Sequence, residues 1–91
     1  MLRTFIAAGL LIAAVNTAFA ANPNFCANYA RAALNQVRVA RHTPPCMYGA
    51  NGPRWSPFYR VHFNWCLGVP WQFAAHERAM RTRYLRSCRG F

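Results

Sequence analysis

The chain has 91 residues, and the 71 that follow Ala20 have room for one small domain, near the size at which an apolar core alone barely holds a fold. Its charge is one-sided: all 11 basic residues are arginine, Glu77 is the only acid, and the formal net charge is +10 with the histidines neutral. A single carboxylate excludes the two-carboxylate chemistry of ordinary glycosidases, and the lack of aspartate removes the third member of a Ser-His-Asp triad.

The N-terminal segment carries one positive charge at Arg3, followed by an apolar run from Phe5 to Val15 interrupted only by Gly9. Hydrophobicity decays at Asn16-Thr17, and Ala18-Phe19-Ala20 offers small residues at the two positions a signal peptidase reads. The pattern predicts a cleavable signal peptide over residues 1–20 and a mature domain over residues 21–91. A retained anchor would need about 20 apolar residues, more than this run supplies. Asn24-Phe25 before Cys26 also lacks the small and aliphatic residues of a lipid-attachment site. The expected location is therefore exported, periplasmic or extracellular.

In the mature chain, Asn22-Pro23 supplies an N-cap and a first-turn proline, whose missing N–H would have no helical partner anyway. The first predicted helix runs to about Arg41. Cys26, Tyr29, Ala30, Ala33, Val37 and Ala40 fall on one side, opposite Asn28, Arg31, Asn35 and Arg38. His42-Thr43-Pro44-Pro45 ends it, because the residue before a proline is pushed out of the α region. From Cys46 to Arg54 the glycines and proline leave no periodicity, which predicts an ordered loop pinned by Cys46.

Ser56-Pro57 repeats the cap signal, and Phe58, Val61, His62, Trp65 and Cys66 share one face of the second predicted helix, stopped by Gly68. The third is predicted from Pro70 to about Cys88. Phe73, Glu77, Met80, Tyr84 and Cys88 group on one side with Ala74 and Leu85 at the edge, and Arg78, Arg86 and Arg89 centre the other. Arg81 sits at the boundary and Arg83 on the far flank. The expected fold class is all-α, a small three-helix domain stapled by two disulfides.

Cys26, Cys46, Cys66 and Cys88 are an even set in a chain bound for an oxidising compartment, where disulfides form and persist. None of their spacings matches a zinc ribbon, a thioredoxin motif or a haem-attachment motif, so neither a metal nor another cofactor is implied. In an up-down-up bundle Cys26 and Cys66 lie at one end and Cys46 and Cys88 at the other. That topology favours Cys26–Cys66 and Cys46–Cys88, while the sequence alone leaves the other pairings open. Each favoured bond would contribute roughly 3–4 kcal/mol in the chain-entropy model, comparable with the net stability of so small a domain.

Phe25-Cys26 with Tyr29-Ala30, Arg54-Trp55-Ser56, His62, Trp65-Cys66-Leu67, and Glu77, Arg81, Leu85 and Cys88 together form a pattern covering nearly the whole mature chain. It resembles an uncharacterised family of small exported bacterial four-cysteine helical proteins. The resemblance implies export and a helical scaffold, and it implies no activity.

His62, on the apolar face of the second helix, reads as a buried, hydrogen-bonded core residue. Glu77, on the inward arc of the third, reads as a structural acceptor for Arg81 one turn on and for His62 or a tryptophan N–H. The remaining arginines and their aromatic neighbours, at Arg54-Trp55, Tyr59-Arg60 and Arg83-Tyr84, suit phosphate neutralisation and stacking or a lipid interface. Arg78, Arg81, Arg86 and Arg89 are the candidate anion-binding residues.

GC-rich coding explains arginine over lysine but does not explain the near absence of acids. The expected function is thus a non-catalytic cationic scaffold or binding module for an anionic lipid, lipopolysaccharide, acidic polysaccharide or acidic protein; export argues against nucleic acid. Two rivals are a membrane-active cationic effector and a weak metal-independent ribonuclease using His42, His62 and His76.

Overall fold

The computed structural model describes residues 21–89, and the signal peptide expected over residues 1–20 lies outside that span. Within it the fold is all-α: α1 (Pro23–Arg41), α2 (Pro44–Met47), α3 (Tyr59–Leu67) and α4 (Trp71–Cys88), with a 3-10 turn at Pro53–Trp55 between α2 and α3. No described helix is long and apolar enough to cross a membrane.

α1 forms as its sequence dictates. The Asn22 side chain accepts from the Phe25 N–H at 2.8 Å, Pro23 occupies the first turn, and the buried residues are Cys26, Tyr29, Ala30, Ala33, Val37 and Ala40. At the other end Thr43 Oγ1 donates to the Val39 carbonyl at 2.7 Å, satisfying one of the last carbonyls before Pro44-Pro45 begins α2. This four-residue turn takes in Cys46 and Met47, the start of the stretch expected to be an ordered loop, and it delivers buried Cys46 to α4. It is too short to leave a periodic signal.

Two glycines in the following loop have specific reasons. Gly52 adopts φ +84°, a region that side chains rarely enter. A Cβ on Gly49 would collide with the hydroxyl of Tyr84, which donates to the Cys46 carbonyl at 2.7 Å.

α3 begins at Tyr59, later than the Ser56-Pro57 signal implied, because the Ser56 hydroxyl instead accepts from the Phe58 N–H at 3.1 Å in the preceding turn. Its buried stripe is narrower than predicted. His62 and Cys66 are buried, whereas Phe58 is 67% exposed and Val61 and Trp65 also face solvent. The apolar face of α4 is likewise rotated from the expected one. Ala74, Arg81 and Leu85 are buried, while Phe73 is 59% exposed. Treating Arg81 as a polar boundary residue turned the helical wheel away from its true inner stripe.

The disulfides are Cys26–Cys66 and Cys46–Cys88, closing sequence separations of 40 and 42 residues. Phe25 meets Trp71 edge-on with ring centroids 6.3 Å apart, so α1 and α4 start at the same end and α3 runs against them. α1 packs on both α3 and α4, which touch each other less.

Each disulfide anchors a separate apolar cluster. Cys26 and Cys66 pack with Ala21, Tyr29 and Ala74 at one end; Cys46 packs with Val37, Ala40, Trp55 and Leu85 at the other, where half-buried Cys88 joins. Between these clusters lies a polar layer centred on fully buried Arg81. Ala30 and Ala33, both fully buried on the inner face of α1, belong to neither cluster and lie between them along the helix.

Candidate functional site

The polar layer is built from residues far apart in sequence. Arg81 Nε donates to Gln36 Oε1 at 2.7 Å and its Nη1 donates to the Arg54 carbonyl at 3.3 Å. Gln36 is held in turn, its amide nitrogen donating to Thr82 Oγ1 at 2.9 Å and to the Arg78 carbonyl at 3.1 Å. The Arg81 guanidinium lies 5.1 Å from the centre of the Tyr29 ring, a cation–π arrangement in a desolvated setting. Its Nη2 is buried without a hydrogen-bond partner. A buried donor left in that state costs about 1–3 kcal/mol, and more on a charged group.

Glu77 does not pair with Arg81 as the one-turn spacing suggested. Its carboxylate is engaged by Arg54 in a two-point contact, Nε to Oε2 at 2.7 Å and Nη2 to Oε1 at 2.9 Å. Arg54 holds the Glu77 carboxyl below its ordinary pKa, against the opposing effect of partial burial. The pair sits on the rim of the site with Arg54 exposed, so it orders the rim more than it stabilises the fold.

His62 is buried, and its Nε2 lies 2.8 Å from the Ser56 carbonyl, which can only accept; Nε2 therefore carries the proton. This bond fastens the 3-10 turn to α3. Burial pushes the imidazole below its ordinary pKa of 6.5, outweighing the Ser56 hydrogen bond. The unfolded chain thus takes up a proton that the folded one resists, so the contribution of His62 is full above the ordinary histidine range and lost as the pH falls through it. Melting between about pH 8 and about pH 5 is expected to show this loss, and His62→Gln is expected to flatten it. A wild-type profile level across that window would contradict the assignment.

These groups surround a cleft of about 340 Å³. Tyr29, Pro53, Val61 and Trp65 give it apolar and aromatic walls, Arg54 and Glu77 form its charged rim, and His62 and Arg81 complete the lining. Six residues far apart in sequence, Tyr29, Arg54, His62, Trp65, Glu77 and Arg81, thereby converge on one cavity. The sequence reading singled out most of them separately. It missed Gln36, whose polar side chain looked merely solvated, and the non-local Arg54–Glu77 pair.

A second feature lies on the outer side of α4. Arg78, Arg83 and Arg86, with Ala75, Ala79 and Thr82, line an open depression of about 480 Å³. Arg81, grouped by sequence with the anion-binding arginines, is not part of this surface, because it occupies the buried stripe of the same helix. Arg89 lies at the exposed C-cap of α4, and Arg83 joins the depression from the flank.

The three histidines of the nuclease reading do not meet in the cleft. His42 caps α1 with Nδ1 2.8 Å from the Arg38 carbonyl, His62 is buried in α3, and His76 is exposed on α4. Among the described residues no three of His, Cys, Asp or Glu gather where they could hold a metal ion. No family model, curated protein or solved structure matches this chain, so its functional reading rests on these two surfaces.

Proposed function

We propose that the mature protein is an exported, non-catalytic cationic module that binds an anionic partner through the outer face of α4. The supporting observation is the depression lined by Arg78, Arg83 and Arg86, whose guanidinium groups make no hydrogen bond or ion pair with any described side chain. The chain's only acidic side chain is committed elsewhere, to Arg54. A concentrated positive surface with no internal counter-charge attracts polyanions strongly at low salt.

Disulfides persist in oxidising compartments, which fits a periplasmic or extracellular site of action. Partners available there are anionic envelope lipid, lipopolysaccharide, acidic polysaccharide or an acidic protein, rather than nucleic acid. Retention of the oxidised mature protein on these ligands and on neutral controls is expected to fall steeply as salt rises. A flat salt response, or equal retention on neutral controls, would refute the reading.

One observation favours a membrane-active variant of it. Trp71 and Phe73 are 50% and 59% exposed at the start of the arginine-bearing helix, a combination suited to the headgroup boundary of an anionic bilayer. Dye release from anionic vesicles distinguishes lysis from simple binding.

A further inference from the structure

The cleft over the polar layer has the makings of a binding site separate from the arginine surface. Arg81 is a fully buried cation with no carboxylate assigned to it, because Glu77 is held by Arg54. Two of its nitrogens are used, by Gln36 and the Arg54 carbonyl, and both bonds fix the guanidinium in place. The third, Nη2, is buried with no partner in hydrogen-bonding geometry, although the Tyr29 hydroxyl is near enough to feel the guanidinium, in a side chain that borders an open cavity. An oriented charged donor beneath aromatic walls is the chemistry of a carboxylate receptor.

We propose that this cleft binds a small hydrophobic monocarboxylate, whose carboxylate accepts from Arg81 Nη2 while its apolar body lies against Tyr29, Val61 and Trp65. Three features define the class. The cavity of about 340 Å³ is at the small end of ligand pockets, enough for a ring system carrying a short acid. Val61 and Trp65 are partly exposed although they border it, leaving apolar surface for a ligand to cover. Arg54 and Glu77 on the rim already match each other, so Arg81 Nη2 is the one charged donor left to offer, which suits a single carboxylate better than a phosphate chain.

The same end group occurs on a free aromatic or branched acid and on the C-terminus of a peptide ending in an apolar residue. Calorimetric titration of the oxidised protein would use naphthoate, its neutral carboxamide, and a Gly-Gly-Phe peptide with a free or amidated C-terminus. The acid of at least one pair is expected to bind about tenfold or more tightly than its amide, since the amide carbonyl can still accept from Nη2 but brings no negative charge to the buried guanidinium. Tighter binding of naphthoate assigns the site to free acids, and tighter binding of the peptide assigns it to protein termini. Because the donor is buried, this affinity is expected to change little with salt, unlike retention on the α4 surface.

Arg81→Met, which keeps much of the side-chain length, is expected to remove the preference for acid over amide. Trp65→Ala, at a partly exposed position, is expected to weaken the acid without altering the fold, and it provides the test if Arg81→Met does not fold. Arg78→Gln/Arg83→Gln/Arg86→Gln is expected to bind naphthoate as the wild type does. Equal binding of acid and amide, or no binding across the panel, would overturn the proposal. So would wild-type affinity in both cleft variants.

Discussion

Removing either disulfide by a paired Cys→Ala change is expected to cost about 3–4 kcal/mol, and removing both is expected to leave the domain unfolded at room temperature. The loops closed by Cys26–Cys66 and Cys46–Cys88 span 40 and 42 residues, so each bond withdraws much chain entropy from the unfolded state. Their positions enlarge the effect. The apolar core is divided into two clusters, and each cluster is centred on one disulfide. Neither cluster has the size to hold α1 against its neighbours unaided, and the layer between them contains a buried cation that gives little net stability. Denaturant midpoints of Cys26→Ala/Cys66→Ala and Cys46→Ala/Cys88→Ala measure the two clasps separately. An unchanged midpoint in either pair would show that packing alone holds that end.

Trp55→Ala is expected to cost about 3–5 kcal/mol, the range for deleting a large buried aromatic. Trp55 is 5% exposed, packs edge-on to Tyr84 with centroids 5.1 Å apart, and belongs to the cluster of Val37, Ala40, Cys46 and Leu85. Its place in the 3-10 turn also sets the Arg54 carbonyl that receives Arg81. Adjacent Arg54 and Trp55 resemble an arginine-aromatic binding surface on sequence, but in the fold they part company, one to the rim and the other to the core. Trp55→Ala should therefore lower stability while leaving polyanion binding by the folded fraction unchanged. Trp55→Phe, which keeps a ring against Tyr84, should lose less. Weakened binding by a fully folded variant would return Trp55 to the surface role.

Local signals in the sequence carried the parts of the fold that depend on them. The inner face of α1 was legible residue by residue because small apolar side chains alternate at helical spacing with Asn and Arg. Helix number and direction favoured the disulfide pairing that the fold has, since of the three possible pairings it is the one that joins cysteines at shared ends of an up-down-up bundle. What failed to read locally was settled by distant partners. Glu77 prefers Arg54, 23 residues away, to Arg81 one turn along the same helix. Arg81 can be buried because Gln36 and the Arg54 carbonyl reach it from other elements, and no helical wheel of α4 contains that information. Its burial then rotates the whole inner stripe, exposing Phe73 and assembling Arg78, Arg83 and Arg86 on one outer surface. The cleft was legible only as scattered unusual residues, His62 and Glu77 among them, without the geometry that gathers them.

Anion binding through the outer side of α4 is tested most directly by the salt dependence of retention on an immobilised acidic polysaccharide. Wild type should be compared with Arg78→Gln/Arg83→Gln/Arg86→Gln and with a charge-matched control on α1, Arg31→Gln/Arg38→Gln/Arg41→Gln. In the control helix Arg31 and Arg38 already donate to Asn28 and Asn35, at 2.6 and 2.9 Å. Loss of most retention and of the steep salt dependence is expected in the α4 variant, with the α1 variant close to wild type. Equal losses in the two variants, or full retention in the α4 variant, would contradict a localised binding face.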